Sequence, residues 1–204
     1  VRRIEERWAG LLPRVEAKLQ TVNGFDRGQE MRLLDQAAQA SSVAKRVMWL
    51  RKAADTLHGS VASLAACRKG CSHCCHISVM LSRAEAKVIA NETGARFNEA
   101  AGQITLNDTQ ECQDALEAIT RQTYGQACTF LREGSCSIYS SRPLPCRLLA
   151  NMDDDDLLCQ LVENGAKNVP YLNTTANQAA GVPIWGAHQA YAATRNWFPE
   201  GLGA

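Results

Sequence analysis

The chain has 204 residues, which is long enough for one domain with a sizeable hydrophobic core. Its 22 Lys and Arg against 21 Asp and Glu give a formal net charge of +1, which argues against a protein that binds nucleic acid through a basic surface. Hydrophobic residues make up 46% and charged residues 21% of the chain, so its composition excludes an intrinsically disordered or a membrane-embedded protein.

Helical periodicity dominates the first third of the chain. Apolar residues recur on one helical face over residues 2–20, where Pro13 is expected to kink or divide the helix. A longer helical region is predicted from about Gln29, and its apolar stripe over residues 43–64 predicts one or two helices with a break near Gly59. The stripe is short, which favours the core of a helix bundle over a coiled coil that binds a partner.

Two further helices follow, and both have recognisable sequence features. Ser82 and Glu85 form a capping box, and the helix that they begin is expected to end at Gly94. A second helix is predicted over residues 108–123, with Cys112 on its apolar face. This position favours the interpretation of Cys112 as a small buried hydrophobe.

Residues 125–150 lose the helical period and are rich in Gly, Ser, Pro and Cys, which predicts irregular loops. Later helices are predicted over residues 153–164 and over residues 186–197. The first of them begins with an acidic run that is typical of a solvated helix start. The best candidate for a strand is short and covers residues 77–81. The predicted fold is therefore mainly α, a helical domain with irregular cysteine-bearing loops around a metal site and little or no β structure.

Cysteine is the unusual component, with nine residues in a chain that is large enough to fold without disulfides. The charged residues 1–8 have no apolar segment behind them, so no signal peptide is expected, and no apolar run approaches the length needed to cross a bilayer. These observations predict a cytoplasmic protein, in which thiols stay reduced and clustered cysteines indicate metal or redox chemistry.

The cysteines fall into two groups. Four lie within residues 67–75 in the pattern Cys-x3-Cys-x2-Cys-Cys, where Gly70 allows a tight turn. Three lie within residues 128–147 in the pattern Cys-x-Phe-Leu-x2-Gly-x-Cys-x-Ile-Tyr-x2-Arg-Pro-x2-Cys-Arg, and one more follows. Short spacings aim two thiolates at one ion, and a remote set completes the shell. The candidate metal ligands are Cys67, Cys71, Cys74, Cys75, Cys128, Cys136, Cys146 and Cys159.

These two patterns resemble the CxxCxxCC, or YkgJ-like, cysteine-cluster family, which is described as zinc- or iron-chelating. The resemblance covers roughly residues 67–160, with one departure, since three residues rather than two separate the first two cysteines. It implies a metal-binding domain over residues 67–160. We expect residues 1–66 to form an N-terminal helical segment that packs on this domain, and residues 161–204 to form a C-terminal helical extension of the same globule.

The number of thiols is compatible with more than one metal atom. Eight thiolates suffice for two four-coordinate sites or for one larger cluster with bridging sulfurs. Cys74 and Cys75 are neighbours whose side chains diverge, so either they bind two different metals or one of them bridges. Zinc, iron and an iron–sulfur cluster all stay open, because four thiolates leave the same net charge with zinc as with an oxidised cubane cluster.

Polar side chains near the cysteines have candidate roles at the same site. Arg142 and Arg147 flank Cys146 and are interpreted as donors that support its sulfur and offset negative charge, with a surface salt bridge as the alternative. His73 and His76 lie inside the first group and are alternative nitrogen ligands, although either could instead orient a thiolate or face water.

Three other functions fit parts of the sequence. Related cysteine-cluster domains occur in flagellin lysine N-methylases, which implies an S-adenosylmethionine-dependent methylase, yet the chain has no glycine-rich nucleotide loop after a strand. Residues 67–74 also have the cysteine spacing of radical-SAM enzymes, but without the alternating strands and helices of that fold. A zinc-ribbon-like nucleic-acid or protein interaction module is the third alternative, and the neutral charge weighs against nucleic-acid binding. Metal binding is therefore preferred, and enzymatic activity is left undecided.

Overall fold

The computed structural model describes residues 2–68, 70–99, 102–105, 110–160, 169–174, 184 and 189–203. Within these ranges the protein is mainly helical, as predicted, with two small antiparallel sheets. No helix in them is both long and apolar enough to span a membrane. The helices are α1 (Arg2–Trp8), α2 (Leu11–Gln20), α3 (Arg27–Gln39), α4 (Val43–Val61), α5 (Arg83–Thr93), α6 (Gln110–Thr123), α7 (Leu144–Leu148) and α8 (Thr194–Trp197).

The N-terminal helices break at positions other than those that the sequence suggested. Gly10, with a φ of 72° in the left-handed region, separates α1 from α2, whereas Pro13 lies in the first turn of α2. A proline is tolerated there because the first N–H groups of a helix have no intrahelical partner. In the same way Ser42 caps α4 and divides the long helical region, while Gly59 lies inside α4.

The start and the end predicted for α5 are confirmed, with Ser82 as the N-cap. The Ser82 hydroxyl accepts a hydrogen bond from the backbone N–H of Glu85 at 3.2 Å, and α5 ends at Gly94 in the left-handed conformation. The Glu85 carboxylate is fully buried and accepts a hydrogen bond from the backbone N–H of Leu144 at 2.8 Å. The start of α5 therefore also positions the start of α7, which contains Cys146.

Replacing Ser82 with alanine is expected to lower the free energy of unfolding by about 1 kcal/mol, because the Glu85 N–H loses its acceptor. Urea unfolding followed by circular dichroism measures this change. The matched control is Thr120→Ala at an exposed position inside α6, where a change within about 0.5 kcal/mol is expected. Equal unfolding midpoints for the two variants would contradict the capping role.

The described residues contain little β structure, as expected, but part of it lies where a helix was predicted. The prediction of a helix over residues 186–197 is wrong for residues 190–193, which form the central strand of a sheet ordered β1-β5-β2, and residues 185–188 lie outside the described ranges. The strand predicted at 77–81 appears at 80–82. A short alanine-rich stretch takes the strand conformation here because it has a partner strand on each side. The strands are β1 (Met80–Ser82), β2 (Ile104–Thr105), β3 (Leu131–Arg132), β4 (Ser135–Cys136) and β5 (Ala190–Ala193), with β3 and β4 forming a separate hairpin.

One hydrophobic cluster joins this sheet to the second cysteine segment. Trp197 and Phe198 are fully buried, and the indole N–H of Trp197 donates to the Leu81 carbonyl at 3.0 Å. Phe130 and Ile138, which lie between the cysteines of the second segment, are buried in the same cluster. The cysteine-bearing loops therefore rest on a packed core.

The acidic run at residues 153–156 is not the solvated start of a helix. The Asp153 side chain has no exposed area, and its two carboxylate oxygens accept from the Arg7 Nε at 2.9 and 3.0 Å. Lys18 donates through Nζ to the Asp153 carbonyl at 2.6 Å. Because cations from α1 and α2 neutralise the run, it forms an anchored loop, followed only by a 3-10 turn at Leu157–Cys159. The rest of the predicted helix, 161–164, lies outside the described residues.

Candidate metal centre

The first cysteine segment is a pair of tight turns. Gly70 has a φ of 87°, in the left-handed region that glycine adopts without strain, and the Cys71 N–H donates to the Arg68 carbonyl at 3.0 Å. A 3-10 helix then covers His73–His76. These turns place Cys71, Cys74 and Cys75 in a short, compact segment, which agrees with the turn expected at Gly70.

The second cysteine segment is built from a loop, the β3–β4 hairpin and α7. Cys128 precedes the hairpin, Cys136 ends β4, and Cys146 lies in α7. The Cys128 N–H donates to the Cys75 carbonyl at 2.7 Å, so a backbone hydrogen bond joins the two segments. Residues far apart in the sequence therefore meet at one site.

Four thiols influence one another electrostatically, and we call them the Cys146 group. They are Cys75, Cys128, Cys136 and Cys146. Burial raises the pKa of Cys146 well above the usual value for a thiol, and negative charge on neighbouring thiols raises it further. Burial also raises the pKa of Cys128 and Cys136.

Three further thiols that influence one another form what we call the Cys159 group, namely Cys67, Cys71 and Cys159. Burial, followed by the charges of Cys67 and Cys71, raises the pKa of Cys159 to about 12. Cys74 influences both groups. Cys74 is therefore coupled electrostatically to thiols of both groups.

Cys74 and Cys75 differ strongly although they are adjacent. A side-chain hydrogen bond from Cys75 lowers the pKa of Cys74 to about 7, and the same bond raises the pKa of Cys75. The thiolate is the form that binds a metal. The hydrogen-bonded pair of Cys74 and Cys75 therefore holds one negative charge more easily than an isolated thiol does.

A group of mixed metal-ligating atoms shares Cys71 with the Cys159 group. The ligand atoms of Cys71, His73 and Asp156 all lie within 4.8 Å of one another, and His73 Nε2 is 3.2 Å from Asp156 Oδ2. Among the described residues, no three thiol sulfurs are mutually within that distance. His76, the other histidine considered as a ligand, has its Nδ1 3.2 Å from the Ser72 carbonyl.

Residues 66–169, just over half of the chain, match the family model CxxCxxCC, described as a proposed zinc- or iron-chelating domain. The chain belongs to the CxxCxxCC family. No match was found among curated proteins or among solved structures. The resemblance drawn from the cysteine pattern is thus confirmed, and so is its extent to within ten residues.

A buried asparagine, which the sequence analysis did not identify, supports two thiols of this CxxCxxCC domain. The Asn151 backbone N–H donates to the sulfur of Cys67 at 3.3 Å, and its side-chain amide donates to the sulfur of Cys159 at 3.2 Å. Hydrogen bonds to sulfur favour the thiolate form. Nothing in the local sequence marks Asn151, because Cys67 is distant along the chain.

The two arginines expected near Cys146 have different surroundings. Arg147 donates to both oxygens of Asp55 at 2.9 and 2.7 Å and to the Ser140 and Arg142 carbonyls, so its bonds are to oxygen. Arg142 packs its guanidinium over the Tyr139 ring at 4.3 Å. Burial raises the pKa of two CxxCxxCC thiols, Cys67 and Cys136, and the Arg142 charge opposes that rise.

Arg195 is a second residue that the sequence did not reveal, and it holds the backbone of both cysteine segments. Arg195, in α8, donates to the carbonyls of Cys75 at 3.2 Å and Ile77 at 3.4 Å in the first segment. It also donates to the carbonyls of Gln126 and Ala127, just before the second segment. One guanidinium outside the CxxCxxCC match therefore fixes the two segments relative to each other.

Cys112 lies apart from these groups. It is 6% exposed on α6, and its sulfur is 3.6 Å from the Thr105 carbonyl in β2. The sequence analysis assigned it to the core because of its position on the apolar face, and its burial agrees. It provides a natural control for the eight candidate ligands of the CxxCxxCC domain.

Proposed function

We propose that the protein binds zinc or iron through the Cys146 group, the Cys159 group and Cys74. The observation that supports this proposal best is the hydrogen bond between Cys128 and Cys75, which joins the two cysteine segments of the CxxCxxCC motif. It brings together thiols that are too distant in sequence to meet by local folding. Soft thiolate donors suit zinc and iron–sulfur chemistry.

The arrangement favours more than one metal atom. Cys74 interacts electrostatically with thiols of both groups, so it either belongs to one group or bridges both. The Cys146 group alone provides four sulfurs, which is the ligand number of a closed zinc site or of a cubane cluster. A closed zinc site supplies folding energy, and an iron–sulfur cluster supplies electron transfer.

Side chains around the thiols fit a bound metal. Asn151 donates to two sulfurs, and the positive charge of Arg142 lies close enough to change the pKa of Cys74. Both effects stabilise negative sulfur, which a thiolate-rich metal site needs. The buried Phe130 and Ile138 limit the access of water to the second segment.

Protein purified without oxygen is expected to contain at least one zinc or iron atom per chain. Elemental analysis of the purified protein measures the metal and its stoichiometry. Absorption distinguishes the two metals, because an iron–sulfur cluster is brown with broad visible bands and zinc thiolates are colourless. Reduced protein that contains no metal and takes up neither zinc nor iron would contradict the proposal.

A further inference from the structure

We propose that Cys71, His73 and Asp156 form a mixed-donor site for a divalent metal ion of the zinc class. This inference deepens the proposed function and rests on it for one ligand, the Cys71 thiolate. It differs in assigning Cys71 a nitrogen and an oxygen partner instead of further sulfurs. The site lies where the first cysteine segment meets the anchored acidic loop.

The distances between the donor atoms suit such an ion. Zinc bonds of 2.0–2.3 Å in a tetrahedral arrangement hold neighbouring donors about 3.3–3.8 Å apart. His73 Nε2 and Asp156 Oδ2 are 3.2 Å apart. The Cys71 sulfur lies within 4.8 Å of a ring nitrogen of His73 and of a carboxylate oxygen of Asp156. A shift of about 1 Å of the Cys71 side chain completes the arrangement.

The contacts that a metal ion would replace are weak. Asp156 Oδ2 lies 3.2 Å from His73 Nε2, which is at the upper limit for an N–H···O hydrogen bond. It lies 3.4 Å from Arg68 Nη2, which is beyond that limit. The Arg68 side chain is 64% exposed, so it can withdraw into solvent. An exposed pair of this kind contributes little to stability.

The fold holds the backbone of Asp156 while leaving its carboxylate accessible. The Cys159 N–H donates to the Asp156 carbonyl at 3.0 Å, and the Asn151 side chain donates to the Asp155 carbonyl at 3.1 Å. Earlier in the loop, Asp153 is paired with Arg7. Asp156 is therefore presented toward Cys71 by bonds that do not use its own side chain.

The chemistry of this donor set differs from that of an all-thiolate site. Three protein ligands leave the fourth position of zinc for water or another small ligand, the arrangement found at catalytic rather than structural zinc. The thiolate and the carboxylate balance the charge of the ion. Because the His73 and Asp156 side chains are 33% and 26% exposed, solvent can reach the open position.

The test is a titration of reduced, metal-free protein with zinc, repeated with cobalt(II) as a spectroscopic probe. His73→Ala and Asp156→Asn are each expected to lose one metal equivalent or to weaken it at least about 10-fold. The matched controls are His76→Ala, in the same 3-10 turn, and Asp155→Asn, in the same loop. Both controls are expected to bind as wild type does.

Each outcome of the titration decides one question. Wild-type stoichiometry and affinity in both His73→Ala and Asp156→Asn would overturn the mixed site and leave the thiolate proposal standing. Reduced wild type that binds no metal would overturn both. If His73→Ala fails to fold, His73→Cys provides the test. It is expected to bind as many cobalt ions as wild type, with a spectrum that indicates an additional sulfur ligand. An unchanged cobalt spectrum would overturn the inference.

Discussion

Replacing Cys146 with serine is expected to remove the stability that the protein gains from metal bound by the Cys146 group. Cys146 lies within α7 among three other thiols, so a hydroxyl there leaves the Cys146 group with three sulfurs. With free metal at about 100 times its dissociation constant, binding stabilises the folded state by about 2.7 kcal/mol. Thermal unfolding with zinc and with a chelator measures the stability gained from metal, which should be smaller in Cys146→Ser than in wild type by about this amount.

The matched control is Cys112→Ser, because Cys112 is a buried cysteine outside both groups. Its absolute stability is expected to fall, since a hydroxyl is less suited to an apolar site. The stability that Cys112→Ser gains on adding zinc, however, is expected to equal the stability that wild type gains. A metal-dependent gain that is lost equally in both variants would contradict the assignment of Cys146 as a ligand.

Arg7→Met is expected to destabilise the protein by up to about 3 kcal/mol, because the Asp153 carboxylate then remains buried without its main partner. Methionine keeps the aliphatic length of arginine, so the change removes charge and hydrogen bonds rather than packing. Arg14 lies 3.8 Å from Asp153 and offsets part of the loss. Urea unfolding measures the effect.

Arg32→Met provides the control, because Arg32 pairs with Asp26 at 3.4 Å on the surface, where a loss below about 1 kcal/mol is expected. The double variant Arg7→Met, Asp153→Asn is expected to recover part of the stability, since no buried charge is left unpaired. Equal losses in Arg7→Met and Arg32→Met would show that α1 does not anchor the acidic loop.

Features encoded by neighbouring residues were predictable from the sequence. Ser82 and Gly94 mark the ends of α5 through local hydrogen bonds and a left-handed backbone, so their roles follow from spacing alone. The cysteine pattern likewise identified the family, because the ligands of a metal site lie at short, characteristic intervals. The burial of Cys112 followed from its position on the apolar face of a helix.

Features that depend on distant partners were not predictable. The strand at 190–193 forms because β1 and β2 lie on either side of it, and its alanine-rich sequence has no period that indicates a strand. Asp153 is buried because Arg7 reaches it from the other end of the chain. Asn151 and Arg195 act through hydrogen bonds to residues far away in sequence, so no local pattern marks them.

The position of Arg195 has a consequence for the order of events during synthesis. All nine cysteines leave the ribosome before Arg195, which follows Cys159 by about 2–7 s at usual rates of translation. During that interval the carbonyls of Cys75 and Ile77 lack their donor, and no hydrogen bonds from Arg195 hold the two cysteine segments together. A reducing environment during those seconds would protect the thiols until α8 is made.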